Sequence, residues 1–330
     1  MRQIRVLVIL FILCLTALTV RAQAPYEPHG PLHITGQTPL QTRKLDMIPT
    51  RPDILSEGEW VATLFSGVAN RWNNTNFYVI DDEIFQNQLE IALGVGRRSE
   101  IGLNIPVLTR SGGYLDRFIV GFHRLMGLGQ ADRTSYPFNQ LQVNYIDSAG
   151  RRVTLLDNNG RKTGLGDVSV IARTTLYSGG GRLSPIIFSA LLRFPTASDR
   201  GFYGSSGIDG AIGVSSAYRL HPFYLYGTVG YGLYGSGRQY GIGLRPYQWT
   251  VFTAVEWASG KSTSFVVQQL INSGIAENFY DFSRPTYEVT LGFKKDLSRH
   301  FMIEFGLLEN LFIFDNSVDF GVSSAVTYHP

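Results

Sequence analysis

Cysteine occurs once in 330 residues, at Cys14, and charged residues make up only 17% of the chain. Beyond Val20 no apolar run reaches the roughly 20 residues that a transmembrane helix needs. Each scarcity excludes something. The lone cysteine lies in an amino-terminal segment that reads as a leader: Arg2 and Arg5 precede the apolar run Val6 to Val20, and Ala22 offers a small residue for cleavage. Pro25 disfavours a later cut, and Leu13 is too large for a lipoprotein site before Cys14. With residues 1–22 removed, the chain has no disulfide, no thiol nucleophile and no cysteine-ligated metal. Loss of Arg2, Arg5 and Arg21 reduces the 29 Lys and Arg to 26, equal to the 26 Asp and Glu. A neutral chain gives no reason to expect nucleic acid as a partner.

Glycine and aromatics are abundant instead, with 36 Gly, 17 Tyr and 21 Phe. Strict alternation of apolar and polar residues recurs along the chain. Leu89, Ile91, Leu93 and Val95 share one face; so do Ile101, Leu103, Ile105 and Val107, and later Tyr287, Val289, Leu291 and Phe293. The opposite faces carry Glu90, Glu100, Arg173, Arg193, Asp209, Glu256, Glu288, Lys294, Glu304 and Asp319 among Gly, Ala, Ser and Thr. A β-sandwich also alternates. Here the apolar face is almost free of charge, and tight connections alternate with long ones. Short links at 97–99, 179–182, 220–222, 259–261 and 297–299 separate longer ones at 70–82, 110–164, 196–206, 235–246, 273–284 and 309–317. That is the pattern of a transmembrane β-barrel. The expectation is an all-β fold, a single antiparallel barrel over 59–330 with about twelve strands, an even number as bacterial barrels have. Fourteen is the alternative count, if the hairpin 138–157 joins the wall.

Within the long loop 110–164, Tyr114, Leu115, Phe118, Ile119, Phe122, Leu125 and Met126 fall on one face of a helix over 114–127. The helix has three placements: inward as a constriction, on the outer leaflet with its apolar face in lipid, or as a cap packed on the hairpin. The cap is the favoured one. Residues 23–58 hold Pro25, Pro28, Pro31, Pro39, Pro49 and Pro52, so they form no wall strand. The apolar Leu32, Ile34, Leu40, Leu45, Met47 and Ile48 are too many for a purely solvated tail. This segment is expected to pack at or inside the periplasmic mouth, the alternative being a disordered leader.

The stretch "TRSGGYLDRFIVGFHRLMGL", together with "GPLHITGQTPL" before the first strand and "LLENL…NSVDF" near the end, resembles an uncharacterised proteobacterial outer-membrane β-barrel family, domain of unknown function 3187. The resemblance implies an outer-membrane location, with outer-membrane lipid and the barrel-assembly machinery as partners. It implies no activity, substrate or cofactor.

Candidate chemistry is sparse. Past the first strand, His221 and His300 fall in short turns and His329 is terminal. His123 in the helix has no nucleophile motif beside it, although Ser111 and Asp116 are near in sequence, and there is no Gly-x-Ser-x-Gly elbow. Asp81-Asp82-Glu83 reads as a solvated edge, and "DNNGRK" at 157–162 as a turn rather than a calcium loop. No metal, cofactor or catalytic set is expected. Small inward residues, among them Ala92, Gly94, Gly213, Gly230, Gly232 and Gly292, leave room in the lumen. The first expectation is therefore a narrow channel or small-molecule uptake barrel; a plugged structural or surface-interaction barrel is second, and an outer-membrane hydrolase third.

Overall fold

The computed structural model describes residues 28–34, 44–127, 133–147, 149–157, 162–198, 203–239, 241–309 and 316–330. The expected leader, residues 1–22, lies outside them, as do residues 158–161 of the candidate calcium loop. Twelve antiparallel strands form the wall: β1 (Trp60–Asn74), β2 (Tyr78–Gly96), β3 (Ser99–Ser111), β4 (Ser169–Tyr177), β5 (Ile186–Arg193), β6 (Asp209–Leu220), β7 (Phe223–Leu233), β8 (Tyr247–Ala258), β9 (Thr263–Asn272), β10 (Thr286–Asp296), β11 (Phe301–Glu309) and β12 (Phe320–Tyr328). Each pairs with the next, and β12 returns to β1 with Ala62 opposite Tyr328 and Asn70 opposite Phe320. The closed ring leaves no free edge.

The side-chain period of two sorts every strand. Val61, Thr63, Phe65 and Ala69 of β1 are buried inward. Leu64 on the other face is 56% exposed, and its counterparts Val229 and Ile212 are 59% and 53% exposed. An exposed apolar band of this extent is what a lipid-facing wall presents. Among the described residues no helix is long and apolar enough to cross a membrane; the strands do the crossing. Leu291 is part of the outward band on β10. Leu291→Arg is expected to cost ~2–4 kcal/mol near the midplane, read as a lower folded fraction in urea-dependent folding into vesicles. Equal stability of Leu291→Arg and Leu291→Ile would mean that this face does not meet lipid.

One boundary differs from the sequence reading. The link expected at 70–82 is mostly strand. β1 and β2 continue to a turn at Thr75–Phe77, where Thr75 N bonds Tyr78 O at 2.9 Å, because Tyr78, Ile80 and Ile84 keep the inward alternation going. The loop hairpin, Gln142–Ile146 with Arg152–Leu156, pairs with this projecting part of β2, Tyr145 opposite Tyr78, and does not enter the ring. Loop residues Leu141, Val143, Ile242, Leu244, Ile275 and Phe282 pack with Tyr78 and Ile80 into one apolar cluster. Since Tyr78 and Ile80 point inward, the cluster closes the long-loop end of the barrel. Below it the Arg71 guanidinium sits 4.5 Å from the Phe282 ring centroid, a cation–π contact.

Candidate functional site

The lumen holds chain. Residues 28–34 rise from the short-turn end, where His29 contacts Ser264 and Asp296, each at 2.9 Å, to Leu32, whose N–H bonds Gln268 Oε1 at 2.9 Å. Residues 44–58 come back down. The Lys44 ammonium donates to Thr286 Oγ1 at 2.7 Å and Asn272 to Asp46 at 3.0 Å near the long-loop end. Lower down, Thr50 O accepts from Lys294 at 3.1 Å and Arg51 meets Glu100 at 2.7 Å. Pro25, Pro39 and Leu40 lie outside the described residues; Pro28, Pro31, Pro49 and Pro52, expected to keep the chain out of the wall, leave its backbone polar groups without a ladder. Luminal side chains satisfy them instead: Glu256 accepts from His29 N and Gly30 N, Glu304 from His33 N, and Glu100 from Leu55 N.

The inward wall residues sort accordingly. Glu90 and Glu304 flank the His33 imidazole at 3.3 and 2.9 Å. Glu304 also pairs with Lys294 at 3.2 Å, Arg173 with Glu100 at 2.8 Å, and Arg193 with Asp209 at 2.6 Å. Glu288 is buried on the same face, close enough to Lys44 to act on its charge. Asp319 is different. It precedes β12, accepts from Trp72 N, and lies 3.9 Å from Arg133 in the loop, which places it at the rim of the long-loop end. His29, His33, Lys44 and Arg51 were not among the candidates, since wall periodicity cannot point to them. The signal available was the surplus of inward carboxylates, which need cations when buried.

Burial opposes charge on His33, but Glu304 and Glu90 outweigh it and raise its pKa to about 9. Burial likewise pushes the Asp46 carboxyl up to about 6, although Lys44 and Asn272 pull it down.

The small inward residues make room for this segment. A Cβ on Gly94 would lie 1.9 Å from Ser56 O, and one on Gly213 would lie 3.1 Å from the Met47 side chain. Leu32 is fully buried among Phe252, Val266 and Leu270. The space expected for solute is filled by protein.

The loop helix, α1 (Asp116–Met126), is neither inward nor a cap on the hairpin, contrary to the favoured placement. Glu309, Phe320, Asn70, Glu83 and Ser111 form one cross-strand row over five strands. The row faces outward, since it shares parity with the exposed Phe305, Val326, Leu64, Leu89 and Val107. The helix lies along that row. Glu83 accepts from Leu115 N at 2.9 Å, Asn70 donates to Asp116 at 3.0 Å, Phe118 and Phe122 pack on Phe320, and His123 is 3.8 Å from Glu309. Asp116 also pairs with Arg133. Of the expected apolar face, Ile119 is buried and Leu115 and Phe122 are half-buried, while Tyr114, Phe118 and Leu125 are exposed; Met126 ends the helix. Among the described residues no three His, Cys, Asp or Glu side chains converge as a metal site.

A closed ring with an apolar exterior band, an ion-paired interior, short turns at one end and long loops at the other is an outer-membrane β-barrel. Within that class, the chain belongs to the family described as protein of unknown function DUF3187, which matches residues 4–329. Among solved structures it is similar to the COG4313 outer membrane channel from Pseudomonas putida F1, with TM-score 0.55 and 10% identity over 86% of this chain and 100% of that one. The Pseudomonas putida toluene transporter TodX aligns with TM-score 0.41 and 7% identity over 83% and 90% of the two chains. A Pseudomonas aeruginosa FadL homologue aligns with TM-score 0.39 and 9% identity over 82% and 90%. No curated protein matches the sequence.

Proposed function

We propose that this protein is an outer-membrane channel for a small solute that rests closed, with residues 28–34 and 44–58 as its plug. The short turns face the periplasm and the long loops face outside. The observation that carries this reading is the way the plug is held. Its grip combines hydrogen bonds and ion pairs from Glu90, Glu100, Glu256, Lys294 and Glu304, which water can replace, with the apolar anchors Leu32, Leu45 and Met47. The shared fold with an outer membrane channel supports the same reading. On the outer side a cleft of about 840 Å³, lined by Asn74, Phe77, Tyr136, Tyr280, Asp281 and Arg284, would receive the solute.

Planar-bilayer conductance tests it. The full chain should be mostly silent, and a chain lacking residues 28–50 should give sustained steps. The second reading, a plugged structural barrel without transport, is favoured by the apolar cluster over the long-loop end. It would prevail if the shortened chain folds, shown by heat-modifiable gel mobility, yet stays silent.

A further inference from the structure

Helix α1 has three faces. Asp116, Ile119 and Val120 are buried against the wall and its loops. Tyr114, just before the helix, Phe118 and Leu125 form an exposed apolar stripe, 67%, 55% and 83% exposed, with one edge of Phe118 still on Phe320. Arg117 and Arg124, seven residues apart, share a third edge and are both exposed; at 1.5 Å per residue they stand about 10 Å apart along the axis. Neither makes an ion pair among the described residues.

Its height on the barrel can be worked out. At the short-turn end Trp60, Tyr328 and Phe301 make an outward aromatic row with centroids 5.6 and 5.1 Å apart. Such rows mark a membrane boundary. The row beneath α1, at Glu309 and Phe320, is eight residues further along β11 and β12. At ~3.3 Å per residue and a tilt of 35–45° this is a rise of roughly 20 Å. The apolar belt of such barrels is about 25 Å tall, so α1 sits at its upper edge.

Handedness fixes which edge of the helix looks up. Inward residues at the foot of ascending strands bond toward the following strand: Ser262 O, before β9, accepts from Asp296 N of β10, and Pro222 O, before β7, accepts from Ala258 N of β8. With L-residues, the strands then succeed one another from right to left seen from outside, long loops uppermost. The helix runs the opposite way, from β2 to β11, and its right-handed winding turns Arg117 and Arg124 toward the long-loop end.

We propose that α1 is a membrane-surface helix at the outer-leaflet boundary, and that Arg117 and Arg124 bind the phosphates of an anionic lipid there. The inference rests on the membrane orientation given above. Two features select lipid as the occupant: the apolar stripe borders the lipid-facing wall, with the Tyr114 ring 6.4 Å from that of outward Phe85, and the cationic edge stands on its headgroup side.

Two measurements on the full chain test this, and neither reads conductance, so failure here is distinct from failure of the channel reading. First, lipid A is titrated onto the detergent-solubilised protein and followed by native mass spectrometry, with phosphatidylcholine as reference. The Arg117→Gln/Arg124→Gln variant should lose about thirtyfold in lipid A affinity with phosphatidylcholine binding unchanged. Unaltered lipid A affinity overturns the phosphate site, and heat-modifiable mobility confirms that the variant is folded. Second, a spin label at Leu125→Cys, in a chain also carrying Cys14→Ser, should in lipid bilayers be reached by oxygen and shielded from a nickel chelate. Chelate access equal to that of a label at Ala149→Cys, in the exposed hairpin turn, overturns the placement.

Discussion

Gly94→Val should leave the channel open. The new Cβ would be 1.9 Å from Ser56 O, 2.6 Å from Ser56 C and 2.9 Å from Leu55 O, where C···O contacts ordinarily lie near ~3.3–3.6 Å. All three atoms are backbone, so no rotamer change relieves the overlap and the descending limb must leave. With it go the bonds of Glu100 to Leu55 N and Arg51, at 2.7 Å each. The wall itself gains, because valine suits a strand better than glycine. The expected result is sustained conductance and rapid tryptic cleavage at Lys44, which precedes Leu45, in a barrel that still shows heat-modifiable mobility. Gly96→Val is the control, since nothing lies within 4 Å of a Cβ there. If both variants are silent, the limb's seat does not control the pore.

The second large effect is alkaline release of the plug. His33 titrates at about 9 between Glu90 and Glu304, against 6.5 for a free imidazole. A raised pKa means that the charged imidazole stabilises the seated plug fully below pH 6.5, and that this contribution is lost as pH rises through about 9. The shift corresponds to about 3 kcal/mol, on the order of a hundredfold in the fraction released. Asp46, ionised above about pH 6, adds no slope in this window. Open probability should climb between pH 6.5 and 9 in the native chain. His33→Gln should lose most of that rise and be more open at neutral pH; burial also lowers the pKa of Lys44, which leaves a residual slope toward alkaline pH. A native profile no steeper than that of the variant would remove His33 from the latch.

The wall was legible because a period of two is local: the alternation that puts Leu64 outside and Phe65 inside needs no knowledge of a partner strand. The same rule brought Glu90, Glu256 and Glu304 to the inner face. It stops at Asp319, one residue before β12, where no strand geometry dictates direction. The helix was legible as a helix and not as a location. Periodicity groups Phe118 with Ile119, yet one is exposed and the other buried; lipid and protein core are equally apolar to a sequence pattern. The deciding contacts, Glu83 to the Leu115 N–H and Asn70 to Asp116, are polar and distant in sequence. Gly94 and Gly213 were read as room, and room they are. What fills it is set by residues 28–58, whose prolines predict only what they do not form.

The ascending limb bonds parts of the wall that are made last. His29 reaches Asp296 across 267 residues, His33 reaches Glu304 across 271, and Gly30 reaches Glu256 across 226. A chain synthesised from its amino terminus carries residues 28–34 long before β8 to β11 exist to receive them, and contacts of such separation form slowly. If the proposed channel closes its ring before these residues are seated, each molecule is open for an interval of its own assembly, and anything that delays seating lengthens that interval for every newly inserted copy.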